Sequence, residues 1–387
     1  MTGARITESW LHDPVAQSVC AMLTSAGYQA HFVGGCVRNA LFGAPVTDLD
    51  ISTNAHPETV SKLARKAGFH AVPTGIDHGT VTVVADGHPF EVTTWRKDVE
   101  TDGRRAVVAF ADRLEDDARR RDFTMNALYA APDGQIIDPL GGLQDLLARK
   151  VRFIDDAHDR IREDYLRILR FFRFHAWYGD ADAGLDPDAL AAISELSDGI
   201  DTLSRERVGS EVVKLLAAPD PALSVAAMAG SGVLARIMPG LNAKALPILV
   251  HFEQDRGVAP DAMRRLAVLG GCDHKDALRL SNLDARRLDT LLEHRGSTEK
   301  PATMGYRLGA DVARDVVLMN AALMETPPPD DFIDGCNAGS HAVLPVTAND
   351  LMPRFQGAEL GARLKALETK WVDSGFKLTR EQLLGLP

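Results

Sequence analysis

Asp48 and Asp50, with Leu49 between them and Ile51 after, carry the clearest chemistry in this chain. Alternating acidic and apolar residues predict a strand, and strand side chains alternate faces. Both carboxylates then share one open face while Leu49 and Ile51 turn inward. Such a pair is an oxygen-rich clamp for a divalent cation. Mg²⁺ in phosphoryl-transfer sites is usually held by one or two carboxylates together with substrate phosphates. Upstream, Gly34-Gly35 opens a segment with helical spacing (Val37, Ala40, Leu41) that Gly43 closes and Pro45 breaks. A helix N-terminus offers free N–H groups and the positive end of its dipole to a triphosphate, and Arg38 lies one turn in. Singly, a D-x-D is a solvated strand face and a Gly-Gly is a turn. In the order strand, Gly-Gly, helix with Arg, acidic strand, they are the equipment of nucleotidyl transfer. The G-x-G-x-x-G dinucleotide fingerprint is absent.

Glu91 alternates with Phe90 and Val92 on a second strand. Two readings stand: it reaches the same metal region as Asp48 and Asp50, or it is an exposed strand glutamate. The run Arg119-Arg120-Arg121-Asp122-Phe123-Thr124-Met125-Asn126-Ala127-Leu128 supplies Arg121 to neutralise triphosphate charge. Its spacing puts Asp122 and Asn126 on one helical face. Between about 158 and 176 the run EDYLRILRFFRF predicts a helix carrying Glu163, Asp164, Arg167, Arg170 and Arg173. Exposed i,i+3 ion pairs contribute only about 0.2–1 kcal/mol, too little to explain a row of arginines on so apolar a helix. Asp164 and Arg167, three apart, are neighbours on its surface. Carboxylate only accepts and guanidinium only donates hydrogen bonds. An Asp beside an Arg therefore fits an exocyclic amine next to an unprotonated ring nitrogen, the edge shared by cytosine and adenine. Uracil and guanine would meet the wrong partner on both sides, and mismatched buried polar groups are what produce strong rejection.

These motifs resemble the nucleotidyltransferase superfamily. The forms G-G-x-V-R, RRDFTMNAL, IIDPLGG and E-D-x-x-R-x-x-R-x-x-R resemble, within it, the tRNA nucleotidyltransferase and poly(A) polymerase family. Asn39 stands where that family usually carries Asp, and an amide there can still hydrogen-bond. The resemblance implies nucleotide binding at Gly35, Arg38, Arg121, Asp164, Arg167, Arg170 and Arg173, and metal binding at Asp48 and Asp50. Gly34, Asp122 and Asn126 join the nucleotide site by the reading above, and Glu91 would be the superfamily's third carboxylate. The implied activity is that of a class II tRNA nucleotidyltransferase: template-independent addition of CCA, from CTP and ATP, to the 3′ end of tRNA with Mg²⁺. A poly(A) polymerase is the nearest alternative, although such enzymes tend to a longer basic C-terminal extension. A catalytically silent RNA-binding scaffold is an alternative of another class, which the intact Asp48, Asp50 and Arg167 oppose.

The elements that must position these residues are α+β. Pro14 to Ala26 and a segment from His56 predict helices. Ala30–Val33, Phe69–Val72, Thr80–Ala85 and Pro89–Trp95 predict strands, the last two joined by the hairpin signal Asp86-Gly87. Lys97 to Asp117 is long, polar and of mixed charge, and predicts a loop beside the site. Ile136-Ile137-Asp138-Pro139-Leu140-Gly141-Gly142 predicts a strand and turn that act as hinge or scaffold. From about 177 strand signals almost vanish. Ser204 is a candidate N-cap, and Pro327-Pro328-Pro329 with Gly335 and Gly339 reads as a linker. The expected organisation is a small mixed-sheet, polymerase beta-like head at 1–155, a helical neck at 156–220, a helical body at 221–326 and a helical tail at 327–387 that binds tRNA.

The net charge of −11 excludes a chain-wide basic coat, so RNA would be gripped by local patches. The four cysteines, Cys20, Cys36, Cys272 and Cys336, form no C-x-x-C pair, which argues against zinc or a disulfide framework and fits a reducing cytosol. His251, Asp273 and His274 form no appended metal cluster. No uncharged apolar run approaches membrane-spanning length and no signal-peptide core is visible, so the expected compartment is the cytoplasm and no membrane is involved.

Overall fold

The computed structural model describes residues 3–75, 79–102 and 105–386. The chain forms two compact units, Met1–Pro239 and Gly240–Pro387. The first holds every residue singled out above as a candidate for chemistry. Among the described residues its nine strands are β1 (Ala30–Val33), β2 (Asp50–Thr53), β3 (His70–Gly75), β4 (Thr80–Ala85), β5 (His88–Thr94), β6 (Arg96–Asp102), β7 (Arg105–Phe110), β8 (Tyr129–Ala130) and β9 (Ile136–Ile137). Seven of them make one mixed sheet in the order β3-β4-β5-β2-β1-β8-β9, in which only β2 and β5 run parallel. Phe32, Ile51, Val81 and Val92 are fully buried on one face of this sheet. The opposite face is more polar and carries Asp50, Ser52, Glu91 and Thr93.

Local signals account for most of the frame. Asp13 caps α1 (Pro14–Thr24) by accepting from the Val15 N–H, with Pro14 in the first turn. Helix α2 (Gly35–Phe42) starts directly after β1 and ends on Gly43 in the left-handed region. Helix α3 (Pro57–Lys66) follows β2. Asp86 and Gly87 both have positive φ, as a two-residue hairpin turn requires, and join β4 to β5. The stretch Lys97–Asp117 differs from expectation. It is the β6–β7 ribbon followed by the start of α4 (Leu114–Arg119). Its polarity reflects a two-stranded ribbon outside the main sheet. The IIDPLGG run is scaffold, as read: Asp138 accepts the N–H groups of Gly142 and Leu143 at 2.8 and 3.0 Å, capping α5 (Gly142–Leu147).

The predicted helix from 158 to 176 is two helices, α6 (Ala157–Glu163) and α7 (Leu166–Tyr178). Asp164 interrupts them with an extended backbone, and its Oδ1 accepts the Leu166 N–H at 3.1 Å, restarting the helix. Next come α8 (Pro187–Leu196) and α9 (Arg205–Leu216); Ser204 precedes α9 but makes no side-chain cap bond.

The second unit is helical. The expected linker at Gly335 and Gly339 is instead the helix Phe332–Ser340, packed against the helix Pro301–Leu308. A Cβ at Gly339 would lie 1.9 Å from the Ala302 carbonyl oxygen, and one at Gly305 2.2 Å from that of Cys336. Glycine serves there as a close-packing residue. Charge is buried in the same unit. Arg264 pairs with Glu253 and Asp315, each at 2.6 Å, Arg265 with Glu253 at 2.7 Å, and Arg287 with Asp315; Arg264, Arg265, Glu253 and Asp315 are at most 1% exposed. Among the described residues no helix is long and apolar enough to cross a membrane.

Candidate active site

The carboxylates meet through sheet register. Asp50 opens β2 and pairs with Glu91 of the parallel strand β5, so both project from the open face. Burial, the Glu91 carboxylate and, more weakly, Asp48 push the Asp50 pKa up to about 6, opposed by the Arg121 guanidinium. Asp48 is exposed and precedes the strand, which begins at Asp50, so strand alternation does not align this pair. Leu49, expected to turn inward, is only half-buried. Asp48 accepts from the Thr47 hydroxyl at 3.0 Å. Among the described residues no three His, Cys, Asp or Glu side chains converge into a ready-made metal cage. Close, mutually repelling carboxylates with open coordination suit a cation completed by substrate oxygens, so the donor set fits Mg²⁺.

Gly34 forms the other wall. Its φ of +69° belongs to the left-handed region that glycine tolerates, and a Cβ there would stand 3.3 Å from Arg121 Nη1. Arg121 is thus laid across the turn at the N-terminus of α2. It is aimed by two groups: Nη2 donates to Asp117 Oδ2 at 3.2 Å and Nε to the Tyr129 hydroxyl at 3.2 Å. Burial alone would lower the Arg121 pKa, but Tyr129 and Asp117 reverse this and raise it. Asp117 is inaccessible to solvent and also accepts from Arg120 Nε at 2.9 Å and the Tyr129 hydroxyl at 2.8 Å. Burial would raise its pKa, yet the Arg121 and Arg120 guanidinium groups, with the Tyr129 hydroxyl, bring it down to about 2.

Asp122 and Asn126 do meet, with Asn126 Nδ2 donating to Asp122 Oδ1 at 3.1 Å. They do so across a 3-10 turn, Thr124–Asn126, and not on an α-helix. Asp122 is buried and engaged, accepting from Arg170 at 2.5 Å and from the Phe123 N–H at 2.9 Å. Burial raises its pKa, and Arg170 with Asn126 overcomes this to leave it at about 2. Arg38, 7% exposed, donates from Nη1 to Asn126 at 2.7 Å and from Nη2 to the Tyr178 hydroxyl at 2.9 Å.

The arginine row of the neck is bound to carboxylates. Arg167 pairs with Glu163 at 2.5 Å and donates to the carbonyls of Arg160 and Arg120, Arg170 pairs with Asp122, and Arg173 pairs with Glu211 at 2.6 Å. Among the described residues Asp164 and Arg167 form no ion pair with each other. Asp164 accepts from Arg207 of α9 at 2.6 Å, because the break in the helix turns its side chain toward α9. Sequence reasoning missed Asp117, Tyr129, Tyr178, Arg207 and Glu211. Only Asp117 carried a local signal, its i,i+4 spacing to Arg121.

A mixed sheet presenting in-register carboxylates beside an arginine-covered glycine turn defines a nucleotidyltransferase. Residues 30–152 match the family described as "Poly A polymerase head domain", and residues 184–244 match "Probable RNA and SrmB- binding site of polymerase A". The mouse (Mus musculus) "CCA tRNA nucleotidyltransferase 1, mitochondrial" is 30% identical over 387 residues, 95% of this chain and 88% of that protein. The Geobacillus kaustophilus "CCA-adding enzyme" is 40% identical over 231 residues, 59% of this chain and 55% of that protein. The crystal structure of the Bacillus stearothermophilus CCA-adding enzyme in complex with CTP superposes with a TM-score of 0.74 at 30% identity, covering 96% of this chain and 95% of that one. The chain belongs to the tRNA nucleotidyltransferase and poly(A) polymerase family.

Proposed function

We propose that this protein adds CCA to the 3′ end of tRNA, using CTP and ATP and releasing pyrophosphate. The observation that carries the reading is the Asp50–Glu91 pair lying within electrostatic reach of Arg121, which itself crosses the Gly34 turn. The names of the relatives, CCA-adding enzymes that include one in complex with CTP, support the substrates. Asp48 and Asp50 would hold Mg²⁺, which supplies stabilisation of the attacking 3′-oxygen and of the departing pyrophosphate. Gly35, at the start of α2, seats the triphosphate on its N–H group, Gly34 shapes the turn while its own N–H donates to the Leu128 carbonyl, and Arg121 covers the site. Glu91 keeps the local field negative for the cation. Arg170 and Arg173 join α7 to the head and to α9 through Asp122 and Glu211. Asp164 and Arg167 read the base. Each Asp164 oxygen keeps a lone pair for an exocyclic amine beyond its present bonds to Leu166 and Arg207. Arg167 exchanges one of its carbonyl partners for the ring nitrogen. The helical second unit would grip the tRNA, with head, neck, body and tail divided at about 155, 220 and 326. Four unpaired cysteines, three of them buried, support a reducing compartment, for which we propose the cytoplasm.

The test is to incubate the protein with tRNA lacking its last three nucleotides, with CTP, ATP, both or neither, and to sequence the products. Ends that stop after CCA are expected. Long oligo(A) tracts would identify a poly(A) polymerase, and no addition under any condition would identify a silent RNA-binding scaffold.

A further inference from the structure

Arg38 is a buried cation whose hydrogen-bond partners are neutral. Its Nε and Nη2 donate to Asn39 Oδ1 at 3.2 and 2.9 Å, Nη1 to Asn126 Oδ1 at 2.7 Å, and Nη2 also to the Tyr178 hydroxyl at 2.9 Å. Among the described residues no carboxylate forms an ion pair with it; burial lowers its pKa, opposed by Tyr178 and, without direct contact, by Asp122. A charge taken from water needs compensation. Tyr178, the last residue of α7, supplies much of it. Its ring centroid lies 4.2 Å from the guanidinium carbon, and its hydroxyl donates in turn to Asn39 Oδ1 at 3.3 Å. The Phe174 ring, at 5.0 Å, is a second aromatic support, although Arg170 and Arg173 also lie against it, at 5.3 and 5.0 Å.

We infer that Tyr178 is a positioning residue for the nucleotide site, standing where a counter-carboxylate would and acting through Arg38. The path is short. Tyr178 and Asn39 fix the guanidinium, its Nη1 fixes Asn126, and the Asn126 side-chain oxygen lies 3.9 Å from where a Gly34 Cβ would be. Arg38 Nη2 is likewise 3.9 Å from the Cβ position of Gly35. Because the partners are neutral, the positive charge of Arg38 persists beside the turn that seats the triphosphate. The inference rests on that turn being the triphosphate cradle.

A double-mutant cycle tests it. Tyr178→Phe keeps the ring and removes the hydroxyl. Asn39→Asp puts a carboxylate where Arg38 Nε and Nη2 already point. In the parent, Tyr178→Phe should raise KM for CTP and ATP, and weaken equilibrium binding of CTP in the absence of tRNA, about tenfold, with kcat and KM for tRNA within about twofold. In an Asn39→Asp background the same substitution should change KM by about twofold or less, since Arg38 then has an ionic partner. Comparison within each background cancels the loss of the Asn39 Nδ2 bond to the Pro45 carbonyl. An unchanged KM in Tyr178→Phe, or an equal change in both backgrounds, overturns the inference. A parent that neither binds CTP nor extends tRNA would instead overturn the cradle itself.

Discussion

Asp117→Asn is the most informative single change outside the proposed metal clamp. It is nearly isosteric, so its effect reports charge. Three donors converge on this buried carboxylate, from Arg120, Arg121 and Tyr129. Its pKa of about 2, against an ordinary 3.8, corresponds to about 2 kcal/mol of folding stability at neutral pH, at 1.36 kcal/mol per pH unit. Removing one partner of a buried ion pair costs about 3–5 kcal/mol. Arg120 and Arg121 keep 18% and 17% exposure, which places the loss at or below the bottom of that range, about 2–3 kcal/mol. The pKa is depressed, so the stabilisation is full above about pH 4 and is lost as pH falls toward 2. Urea unfolding of parent and variant at several pH values should therefore show a gap that is widest at pH 7 and closes with acid. Arg121 loses one of the two groups that aim it across Gly34, so KM for CTP should rise about tenfold as well. Equal stability at pH 7, or a gap of the same size at pH 3, would refute the electrostatic reasoning. An unchanged KM would remove Asp117 from any role in aiming Arg121.

Asp50→Asn should abolish nucleotide addition, by about a thousandfold or more. Measured in chelator, it should also raise stability by about 2 kcal/mol, because it relieves a half-buried carboxylate pressed against Glu91 and Asp48; a variant less stable than the parent would contradict that repulsion. Asp164→Ala should lose discrimination against UTP and GTP more than it loses triphosphate binding, and parent-like incorporation profiles would end its assignment to base reading. His31 is buried against Trp95, and burial brings its pKa down to about 4. The unfolded chain therefore takes up the proton first, and His31 contributes a fall of about 3 kcal/mol as pH drops from about 6.5 to 4, opposed over the same range by Asp50, whose raised pKa works in the other direction. His31→Phe should remove that contribution, so the variant gains stability relative to the parent as the medium is acidified in thermal melts, and a pH dependence identical to the parent's would show that His31 does not cause it.

Features encoded within a few residues were legible before any coordinates. The β1 run, the Asp86-Gly87 hairpin and the glycine at the start of α2 each depend on backbone preferences of the residues involved. So did the Asp50 and Glu91 strands, although only sheet register could show that the two carboxylates face each other. The neck was harder. Asp164 and Arg167 are neighbours if the helix continues, and nothing in the run EDYLRIL announces that it breaks. The partners that decide the matter, Arg207 and Glu211, lie far along the chain, and the pattern LSRERVGSEVVKLL reads only as a packed helix. From the sequence alone, exposed ion pairs are too weak to explain the arginine row. The structure shows ion pairs that are largely buried, where that estimate does not apply. Gly335 and Gly339 read as linker in the sequence yet lie in a packed helix, because glycine marks flexible chain and close helix contact alike and only the facing helix distinguishes the two.

The charged centre of the second unit bears on how this protein can change. Arg264 and Arg265 share Glu253, while Arg264 and Arg287 share Asp315, so altering any one member leaves the buried charge of its partners less compensated. Wholesale exchange of such a group for apolar side chains is often neutral or favourable, whereas each single step is heavily penalised. The cluster is therefore an epistatic trap. Descendants of this sequence should keep all of these residues together or lose them together, with partial sets rare whatever happens at the nucleotide site.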